Sequence, residues 1–318
     1  MSEAKKSCGF RTSIGGQALI EGVMMRGPEK QAIVVRDQEG NLVEKVEDLK
    51  FIKDRYPILG VPLIRGTVNF LAAMVNGVKA LMYSADFYPE EESMQPSKFE
   101  LWLEKHLSSK KLEQAVIVLA VILGIGLSVF LFMVLPTFLT GGLLHFFPGA
   151  PMWLRNLLEG VLKIVIFLLY LIFCSKQKDI YRVFQYHGAE HKSIFCYEAG
   201  LPLTVENVRA QEMHHPRCGT SFMFVVIIIS ILAGAFIHVE STLMRIGIKF
   251  LILPLIIGIT YEINRWVGAN DNLLTRFLSW PGKKIQNITT NEPDDEMIEC
   301  AIRALELVIP EEQGADKW

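Results

Sequence analysis

The chain has 318 residues, 51% of them hydrophobic and 21% charged, with a formal net charge of −2. A mean hydropathy of +0.30 beside so many charges requires the apolar residues to be gathered in runs rather than dispersed. This composition excludes a disordered chain, a collagen, a coiled coil and, with five cysteines, a disulfide framework. The near-neutral balance leaves no electrostatic footprint for nucleic acid.

Residues 1–85 read as a cytoplasmic N-terminal region. Met1 to Gly9 carry no apolar stretch of the kind a cleavable signal peptide needs. A glycine-rich run follows, with Gly15, Gly16, Gly22 and Gly27 around Glu21 and Arg26. Its glycines let the backbone approach a neighbour closely, so Glu21 and Arg26 can face a ligand or lipid headgroup. A set of tight turns around a short buried strand explains the same glycines, and neither dinucleotide nor P-loop spacing is present. Ala32 to Val46 predicts a β-hairpin, its turn at Asp37 to Asn41 with Gly40 inside. In Gly60 to Phe87, Phe70, Met74, Val78 and Leu81 follow helical spacing. That predicts an amphipathic helix lying on a membrane surface, with a re-entrant or extra spanning helix as the alternative. The polar, highly charged residues 86–114 read as a linker.

Four apolar runs predict four transmembrane helices: Ala115–Leu135, Leu157–Cys174, Ser221–His238 and Ile246–Ile263. At 1.5 Å per residue, about twenty residues match a hydrocarbon core of roughly 30 Å. Glu159 and Lys163, four apart, can pair on one face, and Lys163 and Lys249 are expected to snorkel near the outer face. Lysine and arginine set the orientation. Lys176, Lys178, Arg182, Lys192, Arg209 and Arg217 fall between the second and third runs; Arg265, Arg276, Lys283, Lys284, Arg303 and Lys317 follow the fourth. The connections after the first and third runs hold only Arg155 and Arg245. Both termini and the 175–220 loop are therefore expected in the cytoplasm, with reduced thiols at Cys8, Cys196, Cys218 and Cys300. The expected architecture is a mainly α, polytopic helical membrane protein. Helices one and two fall in 115–174 and helices three and four in 221–263, with a small cytoplasmic α+β portion that includes 264–318. Glu292 to Val308 adds a helix there, with Asp294, Asp295 and Glu296 at its dipole-favoured start and Ile298, Ala301, Ile302 and Leu305 as its apolar stripe.

The chemistry concentrates in the 175–220 loop. Ile180, Phe184, His187, His191 and Phe195 recur at helical spacing, and His187 to His191 spells H-x-x-E-H. Two imidazoles one turn apart can close on one divalent metal, most naturally zinc, and Glu190 beside the second can serve as a base for water activated there. Cys196 points away from the pair by the same geometry. The segment from His214 to Gly219 holds the third ligand, since Pro216 and Gly219 impose a non-helical turn that can aim His215 or Cys218 at the pair. Glu262, at the cytoplasmic end of the fourth run, is a further candidate ligand, with pairing to Arg265 as its plainer role. A polar helix face at the membrane surface accounts for the same histidines without any metal.

Four segments together resemble the signatures of DUF1385, a family of bacterial integral membrane proteins. They are Gly15 to Pro28 (GGQALIEGVMMRGP), His187 to Lys192, His215 to Phe222 (HPRCGTSF) and Thr289 to Pro293. The resemblance implies a metal-dependent membrane protein without naming a substrate, and it favours His215 over His214 because the shared pattern is H-P-R-C-G. Two functions are then expected to compete. One is a membrane-embedded metalloenzyme hydrolysing a peptide or lipid-linked substrate at the bilayer surface. The other is a non-catalytic, metal-stabilised scaffold or accessory factor in membrane-protein insertion or assembly. Transport is weaker, for few ionisable residues fall mid-membrane.

Overall fold

The computed structural model describes residues 10–50, 55–88, 109–147, 149–239, 241–312 and 314–317. Most of the predicted 86–114 linker lies outside them. The chain divides into two units. The first takes the residues up to Tyr88, Tyr170–Ser230 and those from Ile252 onward, and the second the remainder.

The first unit is built on a four-stranded antiparallel meander, β1 (Gly15–Leu19), β2 (Gly22–Arg26), β3 (Lys30–Arg36) and β4 (Leu42–Asp48), in the order β1-β2-β3-β4. The predicted hairpin is β3–β4. It turns at Gly40, whose φ of 88° suits glycine, while Asp37 Oδ1 accepts from the backbone N–H groups of Glu39 and Asn41. The glycine-rich run supplies the other two strands, which matches the strand-and-turn alternative for that segment. Leu19 pairs with Gly22 across a two-residue turn that holds Glu21 at φ 48°.

Both faces of β2 and β3 are covered, so these strands alternate between two cores rather than between core and water. Val23, Met25, Ala32 and Val34 pack on one side with Tyr186, Ala189 and Ile194 of α5 (Lys178–Glu198) and with Met297, Ile298, Ala301 and Leu305 of α10 (Asp295–Glu306). Met24, Ile33 and Val35 pack on the other, with Leu19 and with Ala80 of α1 (Ile64–Ala85). The predicted C-terminal helix and its stripe are thus realised in α10, which is capped by Asp294 accepting from Met297 N–H. Helix α1 forms where its periodicity indicated. Near its start it lies against α8 (Thr242–Ala269): Gly66 leaves room for Tyr261, Thr67 donates to the Pro254 carbonyl at 2.7 Å, and Arg65 pairs with Glu262 at 2.5 Å. The first unit also contains α6 (Val205–Arg209) and α9 (Leu273–Thr289).

Helix α9 has no counterpart in the sequence expectations. Pro281 and Gly282 fall in its middle, and Leu273, Leu274, Phe277 and Trp280 remain exposed along it, so its apolar pattern does not mark a core face. An Asn272–Thr275 capping box starts it regardless.

In the second unit the first apolar run is longer than its sequence predicts. Helix α2 (Ser109–Val129) passes through a π-helical turn at Phe130–Val134 into α3 (Leu135–His145). Pro136 brings no N–H and crowds the preceding turn, and the wider turn absorbs it. Thr137 and Thr140 donate to the carbonyls of Met133 and Pro136, both at 2.8 Å, so the helix continues. Helix α4 (Met152–Ser175) and helix α8 likewise extend beyond the predicted runs. Three stretches, Val118–His145, Met152–Ser175 and Thr242–Ala269, are long and apolar enough to cross a membrane; α7 (Gly219–Ala235), on the third predicted run, is a shorter apolar helix.

Lys249 is corrected. It does not snorkel but is buried and ion-paired with Glu159, which also takes Arg245 at 3.1 Å. Lys163 is buried as well. A carboxylate within reach outweighs the pull of distant water on a long ammonium side chain.

Candidate metal centre

The centre is anchored on α5. The spacing of Ile180, Phe184, His187, His191 and Phe195 forms the helix, and its middle, from Gly188 to Ile194, is buried on every side. Helix α9 packs close by through Gly282 against Ser221, and its Gln286 donates to the His215 carbonyl at 2.7 Å and to Ser221 Oγ at 3.0 Å. This contact steadies the turn that carries Cys218.

His187, His191 and Cys218 come together, with one ligand atom from each lying within 4.8 Å of the others. His187 Nε2 is 3.2 Å from Cys218 Sγ. Its Nδ1 faces the Thr289 carbonyl at 2.8 Å, and His191 Nδ1 faces the Met213 carbonyl. A carbonyl only accepts, so each Nδ1 carries a proton and each Nε2, which bears the lone pair in the neutral ring, is turned to the shared space. Carbonyls that fix the tautomer in this way are the usual outer support of metal-binding histidines. Cys218 Sγ also receives the Thr220 N–H at 3.4 Å and lies 3.0 Å from Thr220 Oγ1. Burial would raise the Cys218 thiol, but His187 and His191 beside it pull it well below its ordinary value. Burial would lower His187, but the Cys218 sulfur, with Glu190, outweighs it and lifts the ring to about 9, so at pH 7 its Nε2 holds a proton against the sulfur that a metal ion would have to displace. A thiolate and two oriented imidazoles are a donor set that fits zinc.

Glu190 borders this space. Its Oε2 lies 3.9 Å from His187 Nε2 and 4.0 Å from His191 Nε2, while Oε1 accepts the Gly16 N–H at 3.0 Å. Burial raises its pKa above the ordinary carboxylate value. Gly16 is essential to this approach, because a Cβ there would stand 2.9 Å from Glu190 Cγ and 2.7 Å from the Met24 carbonyl.

The other candidate residues are held elsewhere. His215 is buried, with its ring against Phe195 and its Nε2 3.9 Å from Glu198 and 3.2 Å from Arg217 Nη2. Burial takes its pKa down to about 4, so it is neutral at pH 7. It stands behind His191, the ring centroids 5.5 Å apart. Glu262 is taken up by Arg65. Cys196 turns toward the Pro202 carbonyl. Glu21 pairs with Arg182 and accepts from the Tyr186 hydroxyl at 3.3 Å, tying the β1–β2 turn to α5.

Sequence reasoning did not find the backbone partners, Gly16 N–H and the carbonyls of Met213 and Thr289, because main-chain groups have no residue signature. The glycines were the available signal. Gly188 admits the Asn291 carbonyl to the face of α5, and the Asn291 N–H donates to the Phe184 carbonyl at 2.9 Å. Gly188→Ala is expected to lose about 1–3 kcal/mol of stability through this overpacking. An unchanged thermal midpoint would show that the 289–291 segment does not pack here.

A buried His–His–Cys group with a flanking carboxylate, in a chain that also carries membrane-length helices, defines the class of site. Residues 61–311 match the family described as "Protein of unknown function (DUF1385)". The chain is 32% identical over 300 residues to the Bacillus subtilis (strain 168) protein described as "Uncharacterized protein YqhQ", covering 91% of this chain and 90% of that one. This chain belongs to the DUF1385 family. The matched span contains three of the four resembling segments, and Gly15 to Pro28 lies ahead of it. No solved structure matches the chain.

Proposed function

We propose that the chain is a membrane-embedded metalloprotein that holds one divalent ion, zinc by its donors, on His187 Nε2, His191 Nε2 and Cys218 Sγ. Its reaction is hydrolysis of a peptide or lipid-linked substrate at the bilayer surface. The observation that carries this reading is Glu190, whose Oε2 stands nearly equidistant from the Nε2 atoms of both imidazoles. Three protein ligands beside a carboxylate is the plan of a catalytic rather than a closed site. When bound, the ion polarises a carbonyl or acyl oxygen as a Lewis acid. Glu190 takes a proton on Oε2, and its raised affinity for protons suits that task. Gly16 keeps the carboxylate aimed, and the Thr289 and Met213 carbonyls keep the rings turned.

The three long apolar helices support the membrane location, with α7 as a fourth, short span. Exposed Leu71, Val75 and Val78 on α1 and Leu273, Phe277 and Trp280 on α9 support both helices lying in the interface. The distribution of lysine and arginine supports cytoplasmic termini and a cytoplasmic 175–220 loop. Reporter fusions at Phe195 and at Ala150 are expected to read cytoplasmic and extracytoplasmic respectively. A Phe195 fusion reading outside would overturn the orientation.

A second reading rests on burial. His191, Cys218 and Glu190 are all nearly inaccessible, which favours Glu190 as a fourth ligand in a closed structural site. The chain would then be a scaffold or accessory factor in membrane-protein insertion or assembly. Metal analysis of detergent-purified protein is expected to find one equivalent per chain. Protein that carries no bound metal after purification and zinc back-titration would sink both readings.

A further inference from the structure

Strand β1 lies at the edge of the meander and, among the described residues, pairs with no strand but β2. An edge strand turns the N–H and C=O of alternate residues away from its sheet. Leu19 and Gly22 close a two-residue turn, and the residues that close such a turn exchange both backbone bonds. Counting back by twos, Gln17 and Gly15 bond to β2 as Leu19 does, so Gly16 and Ala18 face outward. The Gly16 N–H agrees, for it leaves the sheet and donates to Glu190 Oε1 at 3.0 Å. Among the described residues, the Gly16 carbonyl and the N–H and C=O of Ala18 have no strand beside them. Gly15 and Gly16 are exposed, Gln17 and Ala18 partly so, and a Cβ at Gly15 would meet nothing within 4 Å.

Such an edge pairs with any extended backbone, because its bonds are main-chain ones. What sets this edge apart is where it leads. In a completed ladder the Gly16 N–H would bind a carbonyl of the added strand. Glu190 holds that N–H instead, so the carbonyl opposite Gly16 is left without its ladder donor. It is left beside Glu190, whose Oε2 stands 3.9 Å and 4.0 Å from the Nε2 atoms of His187 and His191. The edge is thus continuous with the metal centre and brings one backbone carbonyl to it. A lipid headgroup has no repeat of donors and acceptors with which to answer Ala18 and Gly16.

We propose that the outer edge of β1 is the substrate-binding edge of the centre, and that its occupant is an extended polypeptide segment laid on Gly16 and Ala18 as an added strand. The inference rests on the metalloenzyme reading and narrows its substrate from a peptide or lipid-linked molecule to a peptide.

The test is fluorescence anisotropy with the full chain in neutral maltoside detergent, read immediately on mixing. The probe is a labelled decapeptide of alternating threonine and valine, a strand-forming sequence, beside its twin N-methylated at every residue. The decapeptide is expected to bind saturably and to slow hydrogen exchange in the 15–19 segment, and the twin to do neither. Ala18→Pro removes one outward donor and leaves every bond to β2 in place, as proline does on edge strands. It is expected to weaken the decapeptide about tenfold, as for one lost hydrogen bond, with metal content at the wild-type value. Should Ala18→Pro fold poorly, the twin and the exchange measurement carry the test on the unaltered chain. Equal binding of the twin, wild-type affinity in a folded Ala18→Pro, or binding without protection of 15–19 would each overturn the edge as the site. A wild-type dimer that Ala18→Pro separates would assign the edge to a second copy and overturn the peptide. Bound metal with no decapeptide binding would overturn this inference alone; edge binding in a protein that holds no metal would overturn the hydrolase reading instead.

Discussion

His191→Ala is expected to bring the metal content of the purified protein to background, with His187→Ala doing the same. Each substitution removes one of three donors that lie within 4.8 Å of one another. Loss of an outer-shell partner alone typically costs 10–100-fold in metal affinity, so loss of a ligand should cost at least about 100-fold. His191→Ala also opens a cavity at a buried position and strips the Met213 carbonyl of its donor, so its thermal midpoint should fall further than that of His187→Ala. Cys218→Ser separates metal affinity from packing, since it keeps the volume and replaces a soft thiolate by a hydroxyl. Wild-type stoichiometry in both alanine variants would remove the metal centre from consideration.

Glu190→Gln is expected to keep the metal and lose activity by about 10²–10⁴-fold, the usual worth of a positioned general base. The amide preserves the acceptor that meets the Gly16 N–H at 3.0 Å, so the fold survives while the proton acceptor is gone. Hydrolysis of labelled membrane peptides or lipid-linked substrates by reconstituted protein supplies the assay. The scaffold reading predicts a different pattern, in which metal is held more weakly and the thermal midpoint falls with no turnover to lose. Full hydrolytic activity in Glu190→Gln would exclude Glu190 as the base.

How legible the centre was depends on where its atoms reside. The i,i+4 histidines and the intervening glutamate are side chains on one helix, so periodicity alone brings them to one face. Cys218 required only that the chain break near that face, which it does around Pro216, just before Gly219 opens α7. Choosing between Cys218 and His215 lay beyond the sequence, because Glu198 and Arg217, which engage His215 from behind, are polar residues of ordinary appearance. In the sheet, β3 is a continuous apolar run joined to β4 by a recognisable turn, whereas β1 and β2 hide among glycines that permit close approach. Helix α9 shows the converse difficulty: Pro281 suggests an end, and its exposed Phe277 and Trp280 obscure which face is the core. Nothing local marks the burial of Lys249 either, since its partner Glu159 sits on another helix, 90 residues away.

The centre draws on Gly16, the His187–His191 turn, Cys218 and the Thr289 carbonyl, stations spread over most of the chain. A ribosome that has delivered both histidines and the cysteine has still not made the carbonyl that orients His187, nor the α9 contacts that steady the Cys218 turn. Every apolar helix precedes that last station in the sequence. On the proposed metalloprotein reading, an ion would find its full set of partners only after synthesis of all the membrane-length helices, and a chain cut short before Thr289 would lack the carbonyl that orients His187. A bound ion would then mark a finished molecule.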